Sequence, residues 1–379
     1  MNRKPLEPEL EMFRDAARKF FQQEIRPHNE RWREAGIIDR QAYRKAGDAG
    51  LLCMWADEKY GGQGIHDYRY EQILVEENAF HGDSGYLISL HSRIVGPYIN
   101  NFGSEELKQR LLPGMISGEK IIAICMTEPD TGSDLAGMKT RAVEKDDHWL
   151  LNGAKTYISN GINADIIIVA AKTNPDRVHD LTLFIVEPGM EGFERGRMLK
   201  KMGMKSQDTA ELFFRDVHVP KANILGQVNK GFHHLMQSLS EERLTAAVGN
   251  ISYARVAMEV TRDFVRQRKV FGQPLSKFQN TRFKLAALDT EIEIAQCFVD
   301  RCVEMHNEGR LTPEDAARAK LYTSEVNGRM VDEGVQLHGG AGYMEEYPIC
   351  RLYQDERVHR ILAGTSEIMK EIIARATLD

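Results

Sequence analysis

The chain has 379 residues, 50 basic and 56 acidic, for a formal net charge of −6, a length that accommodates two or three domains. A composition of 42% hydrophobic and 28% charged residues is that of a soluble globular protein. Mild acidity argues against general nucleic-acid binding, and no apolar run reaches membrane-spanning length.

The N-terminus, MNRKPLEPELEMF, has no apolar signal core, and its acidic residues argue against a transit peptide. With no presequence read, a reducing cytoplasm is expected, or the mitochondrial matrix in a eukaryote. Cys53, Cys125, Cys297, Cys302 and Cys350 are scattered and form no CxxC pair, which agrees. His91, His338 and His359 lie far apart and no HExxH occurs, so no metal site is expected and each histidine reads as structural.

Residues 1–120 read as helices. Met12, Phe13, Ala16, Phe20 and Ile25 follow a helical period that is expected to stop at Pro27. SEELKQRLLPGMISG (104–118) opens on a capping serine and is expected to end at its Pro-Gly. Near 121 the period changes. Short strands bounded by Asn-Gly and Pro-Gly turns follow, and TAELFFRDVHVP (209–220) alternates Leu212, Phe214, Val217 and Val219 with other residues. Such strands over about a hundred residues suggest a small antiparallel barrel or sandwich. From about 226 the helical period returns, and four long helices are expected as a bundle closed by a short last helix at TSEIMKEIIARA. The domains expected are therefore 1–120, 121–225 and 226–379.

Three loops carry chemical signals. MTEPDTGSDLAG (126–137) packs hydroxyls, Gly132 and backbone amides where helices give way to strands, as phosphate- or ring-binding loops do. KTYISNG (155–161) places an aromatic and a hydroxyl two apart, on one strand face. LHGGAGYMEEYPICRLYQDERVHRILAGTSEI (337–368) contains GGAG, but after a helical pattern and outside any βαβ unit, so a dinucleotide fold is excluded. It offers close backbone approach at Gly339, Gly340 and Gly364, and a helix N-terminus at Thr365-Ser366 suited to an anion.

In SLSEERLTAAVGN (238–250) two glutamates and an arginine head an apolar run. A helix starting near Ser240 would make both ordinary first-turn acids. Helical phase separates them. Glu242 shares a stripe with Ala246, Gly249 and Tyr253, small and apolar, continuing through Val260 and Phe264. Glu241 shares a polar stripe with Thr245, Ser252 and Glu259. Leu244, Ala247, Val248 and Ile251 make a second apolar stripe, and a helix apolar on two faces is buried among others. Glu241 is expected to reach water. Glu242 is expected inside, beside small residues that leave room for a ligand, and since an unpartnered buried charge is costly, that placement argues against mere helix-start decoration.

GSEELKQRLLPGMISGE, TEPDTGSDLAGMKTRA, NGAKTYISNG, KMGMKSQDTAELFFRDVHVP, RQRKVFGQPLSKFQ and the 337–368 stretch, in this order, resemble the acyl-CoA dehydrogenase family over nearly the whole chain. The resemblance implies an N-terminal α-helical domain, a middle antiparallel β-barrel and a C-terminal four-helix bundle. It implies bound FAD, a homotetramer built as a dimer of dimers, and an electron-transferring flavoprotein as oxidant. The implied reaction takes a medium- or long-chain or branched acyl-CoA to the trans-2-enoyl-CoA. A flavin oxidase or monooxygenase, or a non-catalytic member on the same fold, is the alternative.

In the family a base removes the thioester α-proton while flavin accepts the β-hydride. The α-proton is weakly acidic, so the site needs a base and a group that stabilises the enolate. Many members carry the base directly before the Gly-Thr of LAGT. Here that residue is Ala363, which cannot accept a proton. The long-chain and isovaleryl members carry it at the position of Glu242, so the resemblance implies Glu242 as base. It also implies that the Ala363 N–H, next to Gly364, polarises the thioester oxygen. Arg243 follows in the motif near the CoA arm, with a helix-surface ion pair as its other reading. Thr127, Gly132 and Ser133 match the flavin and pyrophosphate loop, and Ser133 also faces substrate. Tyr157 and Ser159 match the aromatic flanking the flavin ring and the hydroxyl near N5; many relatives have tryptophan and threonine there. Arg268, Phe271, Gln279, Gln336 and Gly340 match positions holding the neighbouring subunit's FAD. Thr365 and Glu367 match the last contacts, although some relatives have glutamine in place of Glu367. SGYLISLHSRIVGPYI (84–99) resembles the pocket helices, with Tyr86 and Leu87 bulky for a wide tunnel floor.

Overall fold

In a computed structural model, residues 3–174, 176–177 and 179–378 are described. The helical period of the first third gives α1 (Pro8–Phe20). The chain does not leave helical geometry at Pro27: a π turn (Phe21–Ile25) and a 3-10 turn (Arg26–His28) lead into α2 (Asn29–Ala35). Pro27 sits in the opening residues of its turn, where a missing N–H costs no helix bond. α3 (Arg40–Asp48), α4 (Tyr68–His81), α5 (Gly96–Phe102) and α6 (Glu105–Ile116) follow. Ser104 caps α6, its Oγ accepting from the Leu107 N–H at 3.2 Å. Pro113 lies inside α6 rather than ending it. Burial of Leu111, Leu112 and Met115 outweighs the one hydrogen bond that the proline ring removes.

The strands are β1 (Ile122–Cys125), β2 (Arg141–Glu144), β3 (His148–Ser159), β4 (Ile166–Lys172), β5 (Leu181–Val186), β6 (Phe193–Met198), β7 (Thr209–Pro220) and β8 (Ile224–Leu225). They form one sheet in the order β6-β7-β3-β2-β4-β5-β8, with β1 also on β4. The sheet is mixed rather than antiparallel. β1 pairs parallel with β4 from Ile122↔Ile166 to Cys125↔Val169, and β2 meets β4 parallel at Arg141↔Lys172. Both strands run along the same edge of β4, so the chain leaves that edge after Cys125 and rejoins it at Arg141. The intervening loop, with TEPDTGSDLAG, is thereby pushed out of the sheet. β4 from Ile166 to Ala171 and β5 from Leu181 to Val186 are buried throughout, and both read as nearly continuous apolar runs, broken within only at Thr182, because both their faces are covered.

The last third contains α7 (Gly231–Gln267), a hairpin of β9 (Lys269–Val270) and β10 (Gln273–Pro274), α8 (Gln279–Asn307), α9 (Pro313–His338), α10 (Pro348–Glu356) and α11 (Ser366–Leu378). Three helices are long, and the 13-residue α11 packs on α9 in place of a fourth long one. α7 begins at Gly231, not near Ser240, so Glu241 and Glu242 lie about three turns in and are not first-turn acids. Its middle stripe, Leu244, Ala247, Val248 and Ile251, packs into the bundle core. Its first turns join a different cluster: Leu235 packs with Val95, Tyr98 and Ile99, with Leu181 of β5, and against Met126 of the pushed-out loop.

Candidate active site

Glu242 is 6% exposed on α7 and faces α5. The Tyr98 phenol donates to its Oε1 at 2.8 Å. Burial pushes the Glu242 carboxyl up to about 7, against the Tyr98 hydrogen bond and the Arg243 charge, while Glu241 adds to the rise. A carboxyl poised near neutrality suits proton abstraction. The stripe beyond it is open: a Cβ added at Gly249 would meet only Val75 Cγ1, at 3.8 Å.

Glu241 does not simply reach water. It is half-buried and ion-paired with Arg93 of a π turn (Leu90–Val95), with His306 Nε2 4.0 Å away, and it lines a cavity of about 250 Å³. Its expected polar stripe divides: Glu259 is exposed, but Thr245 and Ser252 turn inward. Thr245 Oγ1 lies 2.7 Å from Tyr68 Oη, and Ser252 Oγ donates to the Val248 carbonyl at 2.7 Å. Hydroxyls return hydrogen bonds to their own helix, so polarity along a stripe does not make it solvent-facing. Arg243 is buried, not a surface residue, and makes no ion pair among the described residues. Burial lowers its pKa, and the Glu242 charge opposes that.

Arg243 faces Lys320 of α9. The Lys320 ammonium donates to the Gly364 carbonyl at 2.6 Å, and burial with the Arg243 charge brings its pKa down to about 8. This pins the turn before α11. Ala363 and Gly364 both have left-handed backbone, φ 53° and 95°, a strain held in place by its surroundings. Thr365 Oγ1 caps α11 by accepting from the Ile368 N–H at 3.3 Å, and Glu367 is exposed on its first turn. Lys320 thus links Arg243 of α7, beside Glu242 in the chain, to the Gly364 carbonyl of the turn before α11.

The loop after β1 hangs on a buried ion pair. Lys155 Nζ donates to Glu128 Oε1 at 2.8 Å, and the side chains are 0% and 4% exposed. Glu128 also accepts from the Lys139 and Thr140 N–H groups at 2.6 and 3.0 Å. Burial works against the Glu128 carboxylate, yet the Lys155 charge and these donors hold it below the ordinary range. The Thr156 N–H donates to the Thr127 carbonyl at 3.0 Å, which brings the loop alongside β3. There a bulge between Lys155 and Ile158 turns Tyr157 outward, 68% exposed at φ 60°, while Ser159, paired with Thr209 of β7, is half-buried. Ser133 is exposed, and around Gly132 no atom lies where a Cβ would go. An outward aromatic beside an open amide-rich loop fits a planar ring with a polar rim, as FAD has.

Arg268, Phe271, Gln279, Gln336 and Gly340 form a separate exposed set. They share one end of the bundle, where the Leu275 N–H donates to the Arg268 carbonyl at 2.7 Å and Phe264 stacks on His338 at 4.0 Å. Phe271 stands 95% exposed at the hairpin tip. Among the described residues, no hydrogen bond or ion pair links this set to the Tyr157 loop. Tyr86 lies away from Glu242, packed on Tyr43 and Phe21 and donating to the Ala42 carbonyl at 3.1 Å, so it belongs to the N-terminal core and is no tunnel floor. Sequence reasoning missed Tyr98, the Lys155–Glu128 pair and Lys320. Each reads along the chain as an ordinary core or surface position. Among the described residues there is no cluster of three metal-ligating side chains, and no helix long and apolar enough to cross a membrane.

A helical domain, a central sheet and a helical domain around a buried carboxylate define a flavin-dependent oxidoreductase of the acyl-CoA class. Family models for the acyl-CoA dehydrogenase N-terminal, middle and C-terminal domains match residues 7–119, 123–217 and 229–378. The chain belongs to the acyl-CoA dehydrogenase family, whose members use FAD. It is 47% identical over 370 residues to the mitochondrial long-chain specific acyl-CoA dehydrogenase of Mus musculus, covering 97% of this chain and 86% of that one. It is 35% identical to the mitochondrial isovaleryl-CoA dehydrogenase of Pongo abelii, covering 98% and 89%. The solved acyl-CoA dehydrogenase of Geobacillus kaustophilus superposes over 100% of both chains with a TM-score of 0.97 at 46% identity. A glutaryl-CoA dehydrogenase of Mycobacterium smegmatis, solved with FADH2, matches with a TM-score of 0.91 at 28% identity, over 98% and 95%.

Proposed function

We propose that this chain dehydrogenates medium- or long-chain acyl-CoA to the trans-2-enoyl-CoA, with Glu242 as the base and an electron-transferring flavoprotein as acceptor. The observation that carries this reading is a buried carboxyl raised toward neutrality on the helix beside the Ala363 turn, where alanine leaves no other base. Likeness to the long-chain specific enzyme supports the substrate class. Bound FAD supplies the hydride acceptor. Thr127, Gly132, Ser133, Tyr157, Ser159, Thr365 and Glu367 hold it, Ala363 and Gly364 hold the thioester, Ser133 also faces substrate, and Arg243 lies near the CoA arm. The three segments 1–120, 121–225 and 226–379 act as one catalytic unit. The test is anaerobic: the yellow protein is mixed with a series from butyryl- to palmitoyl-CoA, with isovaleryl-CoA alongside. Bleaching should be fastest with the longer straight chains. Loss of colour with none of them would overturn the activity, and preference for isovaleryl-CoA would overturn the substrate class.

The chain also acts as a homotetramer, a dimer of dimers. Phe271, Arg268, Gln279, Gln336 and Gly340 are exposed at one bundle end, where a second subunit's FAD would cover them. Sedimentation should show tetramer, or dimer as the smallest FAD-loaded species; a stable FAD-loaded monomer would refute this assembly.

A further inference from the structure

Tyr98 reaches Glu242 from a rigid support. It lies fully buried on α5, directly after the π turn, which Trp55 ties down by donating its Nε1–H to the Ser92 carbonyl at 2.7 Å. Its ring packs on Phe102 with centroids 5.9 Å apart. An ionised carboxylate can only accept, so the phenol donates. Oε1 is taken by that bond, while Oε2 makes no hydrogen bond among the described residues.

We propose that Tyr98 is the positioning residue of the base: it fixes Oε1 of Glu242 and leaves Oε2 as the proton acceptor. This rests on Glu242 being the base. In the step, the α-C–H bond breaks and its proton goes to Oε2. The electron pair stays on the substrate as enolate and closes the new C=C bond, for which FAD, when bound, would supply the acceptor of the β-hydride. Tyr98 keeps its own proton throughout. The charged groups around Glu242 do not share this role. Arg243 and Glu241 flank it on α7. Arg93 of the π turn and His306 of α8 face Glu241, Glu71 of α4 lies near Arg93, and Lys320 of α9 faces Arg243. None of them donates to the Glu242 carboxylate.

The test uses FAD-loaded protein and single-turnover flavin reduction by an acyl-CoA across the neutral and alkaline range. Glu242 accepts a proton only when ionised, so the wild-type rate should rise with pH through about 7. Tyr98→Phe removes a donor that favours the ionised form, so the carboxyl pKa rises and the profile moves to higher pH. A shift of about one unit from about 7 means about fivefold slower reduction at pH 7, approaching about tenfold at lower pH and recovered in alkali. A lower plateau with an unmoved profile would show a structural role only, and an unchanged profile would show no role; either overturns the proposal. Tyr98→fluorotyrosine keeps the bond and the volume with a more acidic phenol, and should move the profile to lower pH. In a Glu242→Gln background, Tyr98→Phe should add nothing. If Glu242→Gln itself reduces flavin normally, the base assignment has failed; if it is inactive and both Tyr98 variants keep the wild-type profile, only the Tyr98 role has failed.

Discussion

In the Glu242→Gln variant, flavin reduction by acyl-CoA is expected to slow roughly 10²–10⁴-fold while the protein stays folded and yellow. The amide is isosteric with the carboxyl and still accepts from Tyr98, but it has no basic oxygen. Stability should hold, because burial penalises the Glu242 charge rather than relying on it. Glu241→Gln is the matched control. It leaves Arg93 without its anionic partner and so costs stability, but it removes no proton acceptor from the substrate side. A harder test adds Ala363→Glu to Glu242→Gln. Residue 363 already adopts left-handed backbone with a Cβ, so glutamate introduces no new backbone strain of that kind, and partial activity should return. Wild-type reduction in Glu242→Gln, or a deeper loss of reduction in Glu241→Gln, would place the base elsewhere.

Lys155→Met is expected to destabilise the protein by roughly 3–5 kcal/mol and to release FAD at lower temperature, because it leaves Glu128 buried without its cation. The 126–140 loop hangs on Glu128 through two backbone N–H donors as well as Lys155, so an uncompensated charge there loosens the whole loop. Adding Glu128→Gln removes the charge and keeps an acceptor for those amides. The double variant should therefore be more stable than Lys155→Met alone, with a coupling that a double-mutant cycle measures. The pH dependence has a definite sign. Glu128 is held below the ordinary carboxylate range, so its contribution is present above the unfolded pKa and is lost as pH falls through the folded one. Thermal unfolding followed by flavin fluorescence reads both effects. Equal melting and equal FAD retention in Lys155→Met and wild type would remove this pair from the flavin loop's support.

Local pattern alone determined which stretches of this chain are strand and which are helix, though not where the helices begin and end. The alternation read over 209–220 is β7, and the apolar runs that read as short strands are β4 and β5. The phase that set Glu242 apart from Glu241 was also legible, because helical period reports which residues share a face wherever the helix begins. What surrounds each face was not. Ser240 looks like a helix start, yet α7 begins at Gly231, since packing of Leu235 against α5 and the sheet extends the helix past its own cap signal. The parallel β1–β4 pairing was hidden because the two strands are brought together by the β2–β3 hairpin between them. Tyr98 and Glu242 lie 144 residues apart, Lys320 and Gly364 44 apart, and Lys155 and Glu128 27 apart. Hydrophobic period records only how a segment sits against a core. The partner of a buried polar group comes from another element, and nothing in the spacing of either segment encodes that meeting, so the tertiary structure alone decided which oxygen of Glu242 is held and which is free.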